Sequence, residues 1–425
     1  MTSTAQRPHA ASRAPQVPGM PDPVPSKEDT MSVHRSTSPH DPVDGQDAPQ
    51  SPQVTRRAGL RLAATGAAGL AGLAGAASAS AAPAHRGGHG GHGGHGHGHG
   101  SSGSGSGGRA PKAGETAHVK VTATTLWVDP RTNRDGIDDG AVSTPVDLDA
   151  WNAKMPDEET RKWLTGKLES QAVLGSEVIV DEIDGEWAHI VVTAQGTPRD
   201  DRGYPGWVPV DHLTVDERFA RLARCASTAT VTALTSTLTS PSRGEGARLP
   251  VSFDTILPVT GQNEDSIEVA VPDAGTMQLS IEDAAVRAHG EKPPRPTVED
   301  IIATGERFLG LRYLWAGVSA YGYDCSGYTY TLFHHHGITL ERDAGDQMHE
   351  SGLKSVERED LQRGDLVFFA TEPGAESIRH VALYVGDDKI MQAPNAARSV
   401  EVVSLTEYDT DGEYAGARRV ELAKG

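Results

Sequence analysis

The sequence predicts an α+β protein in which strand-rich segments precede a region of mixed helices and strands. Residues 116–215 and 226–290 carry short alternating strand patterns that Gly and Pro turns interrupt. Residues 297–422 begin with a helical pattern and continue into alternating apolar strands. Residues 1–115 are rich in Gly, Pro, Ser and His, which predicts a disordered N-terminal region without a packed core.

Charge and cysteine content narrow the classes of function. The chain of 425 residues has a formal net charge of −19, which argues against nucleic-acid binding because that function needs a basic surface. Its cysteines, Cys225 and Cys325, are too few for a disulfide framework in a chain of this length. Either the two cysteines form one structural disulfide, or one is a reactive thiol and the other has no role in the chemistry.

Residues 1–82 combine a polar N-region with the features of an export signal. The pair Arg56-Arg57 precedes an apolar run over 62–77, and Ala-Ser-Ala sequences close that run. This arrangement is typical of a secretory signal, and the arginine pair resembles a twin-arginine signal. We therefore predict a secreted or cell-wall-associated protein without stable membrane insertion after processing; a retained anchor is the alternative. A flexible Gly/His/Ser-rich linker is predicted over 83–115.

Two small barrels are predicted between the linker and the C-terminal region. In 116–215, a hairpin turn at 184–185 and a Gly-Tyr-Pro-Gly-Trp-Val run over 203–208 resemble bacterial SH3-like domains. A helical insertion around 151–168 interrupts their strands. Residues 226–290 resemble a second, more divergent copy. The resemblance implies two SH3-like β-barrels in tandem.

A separate C-terminal domain is predicted over 297–422. The rigid Pro-Pro-Arg-Pro run over 293–296 marks its boundary. Thr297 offers an N-cap with Asp300 at the capping-box position, which predicts the start of a helix that ends at Gly310. The pattern places these apolar residues on the inward face of the helix: Val298, Ile301, Ile302, Phe308 and Leu309.

A candidate nucleophile lies at the start of the next predicted helix. Cys325 stands in the run Asp324-Cys325-Ser326-Gly327, and the helix that follows ends at Gly337. A thiol at a helix N-terminus faces free N–H groups and the positive end of the helix dipole. This position predicts a lowered pKa for the thiol and a reactive thiolate.

A candidate base and its partner lie on a predicted hairpin. His380 belongs to an alternating apolar strand, a turn is expected near Asp387, and Gln392 lies on the returning strand. Their parity across this turn places His380 and Gln392 on one face as diagonal neighbours. Gln392 can then accept a hydrogen bond from one imidazole nitrogen and leave the other nitrogen for the thiol. The sequence therefore predicts a catalytic set in the chain order Cys325, His380 and Gln392.

The sequence predicts neither a metal site nor a cofactor. His334, His335 and His336 are consecutive residues of a predicted helix, so their side chains cannot converge on one ion. We interpret them as exposed residues near a helix C-terminus, where positive charge is stabilised. The histidines of the linker lack the spacing of a structural zinc site.

Together the C-terminal motifs resemble the NlpC family of cell-wall cysteine peptidases. The matching runs cover nearly all of that domain: Tyr313-Leu314-Trp315, Asp324-Cys325-Ser326-Gly327, Leu340-Glu341-Arg342-Asp343, Gly364-Asp365-Leu366-Val367-Phe368-Phe369 and His380-Val381-Ala382-Leu383-Tyr384-Val385-Gly386. The resemblance implies a papain-like catalytic domain. With SH3-like barrels ahead of it, the chain is similar to γ-D-glutamyl-L-diamino acid endopeptidases, which cut peptidoglycan stem peptides that have a free N-terminal L-Ala.

The resemblance also implies a role for each matching residue. Cys325 would attack the γ-glutamyl carbonyl, His380 would act as general base, and Gln392 would orient His380. Tyr313 matches a tyrosine that helps to hold the oxyanion. The substrate subsite would be lined by Asp324, Ser326, Arg342 and Asp343. Of these, the Asp343 carboxylate is the expected partner of the L-Ala ammonium.

The sequence departs from the family pattern at two positions and leaves alternatives open. Ala316 replaces the usual Gly of the Tyr-Leu-Trp-Gly-Gly run, and Ala344 stands where Ser often follows Arg-Asp. A related amidase or acyltransferase of the same fold is one alternative function, and a wall-binding protein with an inactive catalytic domain is another. The barrels either bind the wall or shape one side of the active-site cleft. Each alternative has peptidoglycan or a muropeptide as its partner.

Overall fold

The computed structural model describes residues 107–240 and 247–424. The N-region and signal predicted over 1–82 lie outside these ranges, as does the predicted linker up to residue 106. Within the described ranges, no helix is long and apolar enough to cross a membrane. In the described chain, two β-sheets precede a C-terminal region of mixed helices and strands.

The first sheet is antiparallel and contains the Gly-Tyr-Pro-Gly-Trp-Val run. Its strands are β1 (Thr116–Val119), β2 (Ala123–Trp127), β3 (Leu168–Val173), β4 (Glu177–Asp184), β5 (Trp187–Val192), β6 (Tyr204–Pro209) and β7 (Leu213–Thr214). They are hydrogen-bonded in the order β3-β2-β6-β5-β4-β1-β7. In β4, Val178 and Val180 are fully buried because alternate side chains of a strand face the core.

A helical insertion separates β2 from β3, as the sequence predicts, but its helices begin at Asp139 and end at Lys162 instead of spanning 151–168. It consists of α1 (Asp139–Val142), α2 (Leu148–Ala153) and α3 (Glu158–Lys162). The side chain of Asp157 caps α3 by accepting a hydrogen bond from the N–H of Thr160. Trp151 of α2 is fully buried in a cluster that includes Leu314 and Ala316 of the C-terminal region. The insertion therefore attaches the first sheet to the candidate catalytic domain.

The second sheet repeats the strand order of the first. After α4 (Glu217–Ala223), its strands are β8 (Thr228–Val231), β9 (Thr235–Thr239), β10 (Arg248–Ser252), β11 (Ile256–Gln262), β12 (Ser266–Val271), β13 (Gly275–Ser280) and β14 (Ala284–Arg287). Their order is β10-β9-β13-β12-β11-β8-β14. In each sheet the third strand therefore lies at one edge, followed by the second, sixth, fifth, fourth, first and seventh. This common order is what a second copy of the first domain would produce.

The C-terminal region packs helices against an antiparallel sheet. Its helices are α5 (Val298–Glu306), α6 (Cys325–His335), α7 (Ala344–His349) and α8 (Leu405–Tyr408). Its strands are β15 (Val318–Ser319), β16 (Gly322–Tyr323), β17 (Lys354–Val356), β18 (Leu366–Ala370), β19 (Ile378–Gly386), β20 (Lys389–Gln392), β21 (Glu401–Ser404) and β22 (Tyr414–Arg419). The main sheet has the order β17-β22-β18-β19-β20-β21. Short 3-10 helices in the described ranges span Val210–His212, Ile281–Asp283 and Arg358–Asp360.

The first helix of this region begins where the sequence predicts and ends earlier. The Thr297 hydroxyl accepts a hydrogen bond from the N–H of Asp300, and the Asp300 carboxylate accepts one from the N–H of Thr297, which confirms the capping box. The helix ends at Glu306 rather than at Gly310. Leu309 lies beyond this end and is 47% exposed, so its predicted inward position is wrong because helical periodicity no longer applies there.

The three consecutive histidines are not exposed surface residues, and that prediction is wrong. Asp254, in the turn between β10 and β11, accepts hydrogen bonds from Nδ1 of His334 (2.5 Å) and Nδ1 of His335 (3.2 Å). His336 bonds through Nε2 to the Thr304 hydroxyl at 2.9 Å. These partners lie in other elements, so helical spacing alone could not reveal them. The contacts attach the C-terminal end of α6 to the second sheet.

Candidate active site

The Cys325 thiol lies at the first residue of α6. Asp324 is the N-cap residue of this helix, and its Oδ1 atom accepts a hydrogen bond from the N–H of Gly327 at 2.6 Å. Cys325 is 9% exposed and forms no disulfide. Cys225 is exposed and is also a free cysteine. The sequence pattern therefore places a free thiol at a helix N-terminus, as predicted.

The hairpin of β19 and β20 brings His380 to Gln392. Leu383 pairs with Met391 across the two strands, and the turn between them contains Asp387 and Asp388, with φ angles of 49° and 57°. Positive φ angles at both turn residues suit a tight hairpin. The predicted diagonal contact is present, because His380 Nε2 and Gln392 Oε1 lie 2.7 Å apart. An amide oxygen only accepts, so Nε2 carries the proton and Nδ1 carries the lone pair.

Burial of both reacting groups favours their neutral forms. Burial, with a smaller effect of Asp324, raises the pKa of the Cys325 thiol to about 12, although the N–H groups of Val381 and Ser326 oppose this. Burial lowers the pKa of His380 to about 4, and the hydrogen bond to Gln392 only partly offsets it. The predicted low pKa of the thiol is therefore wrong for the free site, because burial outweighs the helix N-terminus.

Aromatic rings enclose His380 and account for its burial. Phe369 of β18 and Tyr408 of α8 pack against the imidazole with ring centroids 5.6 Å and 5.4 Å away. His380 is 1% exposed. These contacts remove water from the imidazole, which disfavours its protonated form. The ring therefore remains a neutral base down to acid pH.

An open cleft of ≈ 410 Å³ adjoins the thiol. It lies between the helical insertion, the start of the C-terminal region and the loop after β20. Its lining residues are Glu158, Lys162, Thr165, Tyr313, Trp315, Cys325, Arg379, Pro394, Asn395, Ala396, Ala397 and Arg398. The insertion of the first sheet thus forms one wall of the cleft, which supports the alternative in which the first barrel shapes the active site.

Tyr313 lies in this cleft with Cys325. It is 5% exposed, and burial raises the pKa of its phenol well above the usual value, with a further contribution from Cys325. The phenol therefore stays protonated and able to donate a hydrogen bond. The backbone carbonyl of Tyr313 accepts a hydrogen bond from Arg161 of the insertion at 3.0 Å, which attaches this segment to the first sheet.

Asp324, Ser326 and Arg342 form a buried network beside the thiol. Arg342 is fully buried and makes a two-pronged contact with Asp324, with Nη2 to Oδ2 at 2.9 Å and Nη1 to Oδ1 at 3.2 Å. Its Nη1 also donates to the Ser326 hydroxyl, and its Nε donates to the Ser170 hydroxyl of β3, both at 2.9 Å. The network links the helix N-terminus that carries Cys325 to the first sheet.

Asp343 is the most accessible of the predicted subsite residues. Its side chain is 41% exposed, whereas that of Asp324 is 11% exposed and that of Arg342 is fully buried. Tyr204 of β6 donates a hydrogen bond to Asp343 Oδ2 at 2.7 Å. Arg199 lies beside Tyr204, at 3.3 Å from its hydroxyl, and pairs with Glu169 of β3. The first sheet therefore surrounds the Asp343 carboxylate with polar groups.

Several residues at the site lie outside the NlpC-type motifs of the C-terminal domain; Tyr204 belongs instead to the Gly-Tyr-Pro-Gly-Trp-Val run of the first sheet. Lys162 and Arg398 line the cleft, Tyr408 packs on His380, and Tyr204 holds Asp343. Glu401 accepts a hydrogen bond from Gln392 Nε2 at 3.1 Å. The strand register of β20 and β21 could have pointed to Glu401, but the other four are brought to the site by the packing of distant segments.

Two family models match the chain within these regions. The NlpC/P60 family model matches residues 310–419, and the YKFC SH3b2 domain model matches residues 231–286. The second match covers the second sheet, which is therefore an SH3b domain. That the first sheet is another SH3-like barrel stays a prediction, which the common strand order supports.

Relatives match most of the chain. A gamma-D-glutamyl-L-lysine dipeptidyl-peptidase from Bacillus cereus is 41% identical over 310 residues, covering 72% of this chain and 92% of that protein. A protein of the same name from Bacillus subtilis is 33% identical over 313 residues, covering 71% of this chain and 98% of that protein. A crystal structure of an NlpC/P60 family protein from Bacillus cereus has a TM-score of 0.69 and 40% identity, covering 72% of this chain and 99% of that structure.

Proposed function

The chain belongs to the NlpC/P60 family of cysteine peptidases, and we propose that it hydrolyses the γ-D-glutamyl–diamino acid bond of peptidoglycan stem peptides with a free N-terminal L-Ala. The observation that carries this proposal is the His380–Gln392 pair, together with the backbone N–H of the next residue, Val381, which contacts the Cys325 thiol. Two relatives that match most of the chain are named gamma-D-glutamyl-L-lysine dipeptidyl-peptidases, a name that describes a bond between γ-D-Glu and a diamino acid.

Acylation begins when His380 Nδ1 takes the thiol proton of Cys325 as the sulfur attacks the γ-carbonyl carbon of D-Glu. Gln392 keeps the other imidazole nitrogen protonated, so Nδ1 is available as the base. Because burial favours the neutral thiol and the neutral imidazole, the proton moves as the attack proceeds. The imidazolium then protonates the leaving amine, the C–N bond breaks, and a thioester remains on Cys325.

The developing oxyanion would have two donors in the cleft. The backbone N–H of Cys325 lies in the first turn of α6, where N–H groups lack intrahelical partners. The Tyr313 phenol stays protonated and lies in the same cleft. In deacylation, His380 takes a proton from water as the water oxygen attacks the thioester. The C–S bond then breaks and the sulfur regains a proton from His380.

Asp343, which contacts the first sheet, would select substrates with a free amine. Asp343 offers a partly exposed carboxylate, and the hydrogen bond from Tyr204 fixes its position. The side chains of Asp324, Ser326 and Arg342 form hydrogen bonds with one another. They would therefore stabilise the site around Asp343 rather than bind the ammonium themselves. An acylated amine has no positive charge for Asp343 to bind.

A secreted or wall-associated location would bring the enzyme to peptidoglycan or released muropeptides. The twin-arginine-like signal that the sequence predicts within 1–82 would provide export. N-terminal sequencing of protein recovered from culture medium should find a mature chain that begins after the apolar run over 62–77. Recovery of the full N-region only from the cytoplasm would contradict export.

The proposed activity can be tested by mass spectrometry of synthetic peptides incubated with the protein. The substrates are L-Ala-γ-D-Glu-L-Lys, its meso-diaminopimelate counterpart, and each peptide with its L-Ala amine acetylated. We expect release of L-Ala-D-Glu from the free-amine peptides and at least a hundredfold slower release from the acetylated ones. Cys325→Ala should abolish release because it removes the nucleophile.

Cys225→Ala is the matched control, since Cys225 is the exposed thiol far along the chain from the site motifs. It should retain wild-type activity. Equal cleavage of free and acetylated peptides would contradict the assigned recognition of the amine. Release of N-acetylmuramoyl sugar from intact muropeptide would instead identify an amidase. No cleavage of peptides or intact peptidoglycan by the wild type would contradict the peptidase function.

A further inference from the structure

The Gln392 amide is held at both ends. Its Oε1 faces His380 Nε2 at 2.7 Å, and its Nε2 donates to Glu401 Oε1 at 3.1 Å. The second oxygen of Glu401 pairs with Arg398 Nη2 at 2.7 Å. Gln392 and Glu401 are directly opposite each other in the pairing of β20 with β21. The sheet register therefore places a carboxylate next to the amide that contacts the proposed base.

A glutamine next to a histidine does not by itself select one imidazole tautomer. A rotation of the amide by half a turn exchanges its acceptor oxygen with its donor NH₂ group. With the oxygen towards the imidazole, His380 Nε2 must carry the proton and Nδ1 is the base. With the NH₂ group towards the imidazole, Nε2 must be the acceptor, and the proton moves to Nδ1. That second state leaves no base for the Cys325 thiol.

Glu401 selects one of the two orientations of the Gln392 amide. A carboxylate paired with a guanidinium accepts hydrogen bonds and has no proton to donate. It therefore favours the orientation in which the Gln392 NH₂ group points to Glu401 and the oxygen points to His380. We propose that Glu401 is a positioning residue that fixes the Gln392 amide and, through it, the catalytic tautomer of His380. The proposal rests on the proposed function of His380 as the general base.

The aromatic rings around the His380 imidazole do not favour either tautomer, so the Gln392 amide determines which one forms. Phe369 and Tyr408 contact His380 as tilted rings, which exclude water but do not distinguish the two tautomers. Gln392 is fully buried, whereas the Glu401 side chain is 20% exposed at the edge of the network. A charge at this position can orient the buried amide while remaining partly hydrated and paired with Arg398.

The test combines kinetics with the protonation state of His380 in the full chain. Glu401→Gln keeps the side-chain shape but lets its own amide face Gln392 in either orientation. We expect kcat on L-Ala-γ-D-Glu-L-Lys to fall about tenfold, with KM within about twofold of wild type, because the loss of a hydrogen bond to a charged group depopulates the base-competent tautomer. NMR of ¹⁵N-histidine-labelled protein should show Nε2–H in the wild type and a mixture with Nδ1–H in the variant.

Two controls separate this effect from a general change in charge or packing. Glu413→Gln removes a carboxylate that pairs with Arg379 beside His380 but does not touch Gln392, so it should leave the Nε2–H tautomer unchanged. In a Gln392→Ala background, Glu401→Gln should cause no further loss of kcat, since its effect passes through the amide.

An unchanged tautomer in Glu401→Gln with kcat within twofold of wild type would overturn the proposal. So would a further tenfold loss when Glu401→Gln is added to Gln392→Ala. If the wild-type protein cleaves none of the peptides, the proposed function has failed instead. The NMR experiment still decides between the two orientations of Gln392 in that case, because it does not depend on turnover.

Discussion

Replacing Arg342 by methionine should destabilise the catalytic domain through an uncompensated charge. The Arg342 guanidinium is fully buried and gives Asp324 two hydrogen bonds, at 2.9 Å and 3.2 Å. Removal of one partner of a buried ion pair typically costs about 3–5 kcal/mol. The Asp324 carboxylate would still accept from the N–H of Gly327 at 2.6 Å, at the N-terminus of α6. We therefore expect a loss of about 3 kcal/mol, near the lower end of that range.

Urea titration followed by tryptophan fluorescence measures this loss. In the double variant Asp324→Asn/Arg342→Met no buried charge remains, so its cost should be smaller than the sum of the two single costs. Ser170→Ala leaves the Arg342–Asp324 pair in place but removes two hydrogen bonds of the Ser170 hydroxyl, the one it accepts from Arg342 Nε at 2.9 Å and the one it donates to Gln195 Oε1 at 2.6 Å. At about 1 kcal/mol for each hydrogen bond, it should cost about 2 kcal/mol. A loss below about 1 kcal/mol for Arg342→Met, or strictly additive costs in the double variant, would refute the role of the buried pair.

Three further outcomes are expected. Burial lowers the pKa of His380 to about 4, so the acid limb of the kcat/KM profile should lie near pH 4; a limb near the ordinary value of 6.5 would contradict a buried base. Ala316 has a φ angle of 64°, which is unfavourable for alanine, so Ala316→Gly should raise the free energy of unfolding in urea by about 0.5–1 kcal/mol; a decrease would contradict this strain. Burial alone would lower the pKa of His334, but the Asp254 carboxylate outweighs it and raises that pKa above the ordinary value. The ion pair of these two residues therefore stabilises the fold below about pH 6.5 and is lost as pH rises through the raised pKa. Asp254→Asn should therefore lower the melting temperature more at about pH 6 than at about pH 9, and an equal loss at both would refute the ion pair.

Features that depend on short-range spacing were predictable. The capping box of Thr297 and Asp300 joins residues three positions apart, and the structure contains it. The contact of His380 with Gln392 follows from alternation on either side of one turn, and it is present at 2.7 Å. In both cases the backbone period of a single helix or hairpin determines which side chains meet.

Features that depend on the surroundings were predicted poorly. The helix N-terminus at Cys325 is present, yet burial raises the pKa of the thiol instead of lowering it. His334 and His335 were expected to be exposed, but Asp254 of the second sheet accepts hydrogen bonds from both. A sequence pattern describes the residue and its neighbours in the chain, whereas the free energy of a charge depends on what excludes water from it.

The sequence by itself determined the α+β class, the free thiol at a helix start and the hairpin that joins His380 to Gln392, because each depends on local periodicity. Only the tertiary structure decided which distant groups complete the site. Arg342 reaches Ser170, Tyr204 reaches Asp343, and both contacts join the first sheet to the catalytic domain. Such contacts depend on how the first sheet packs against the C-terminal region, and residue spacing within one segment does not encode its distance to another.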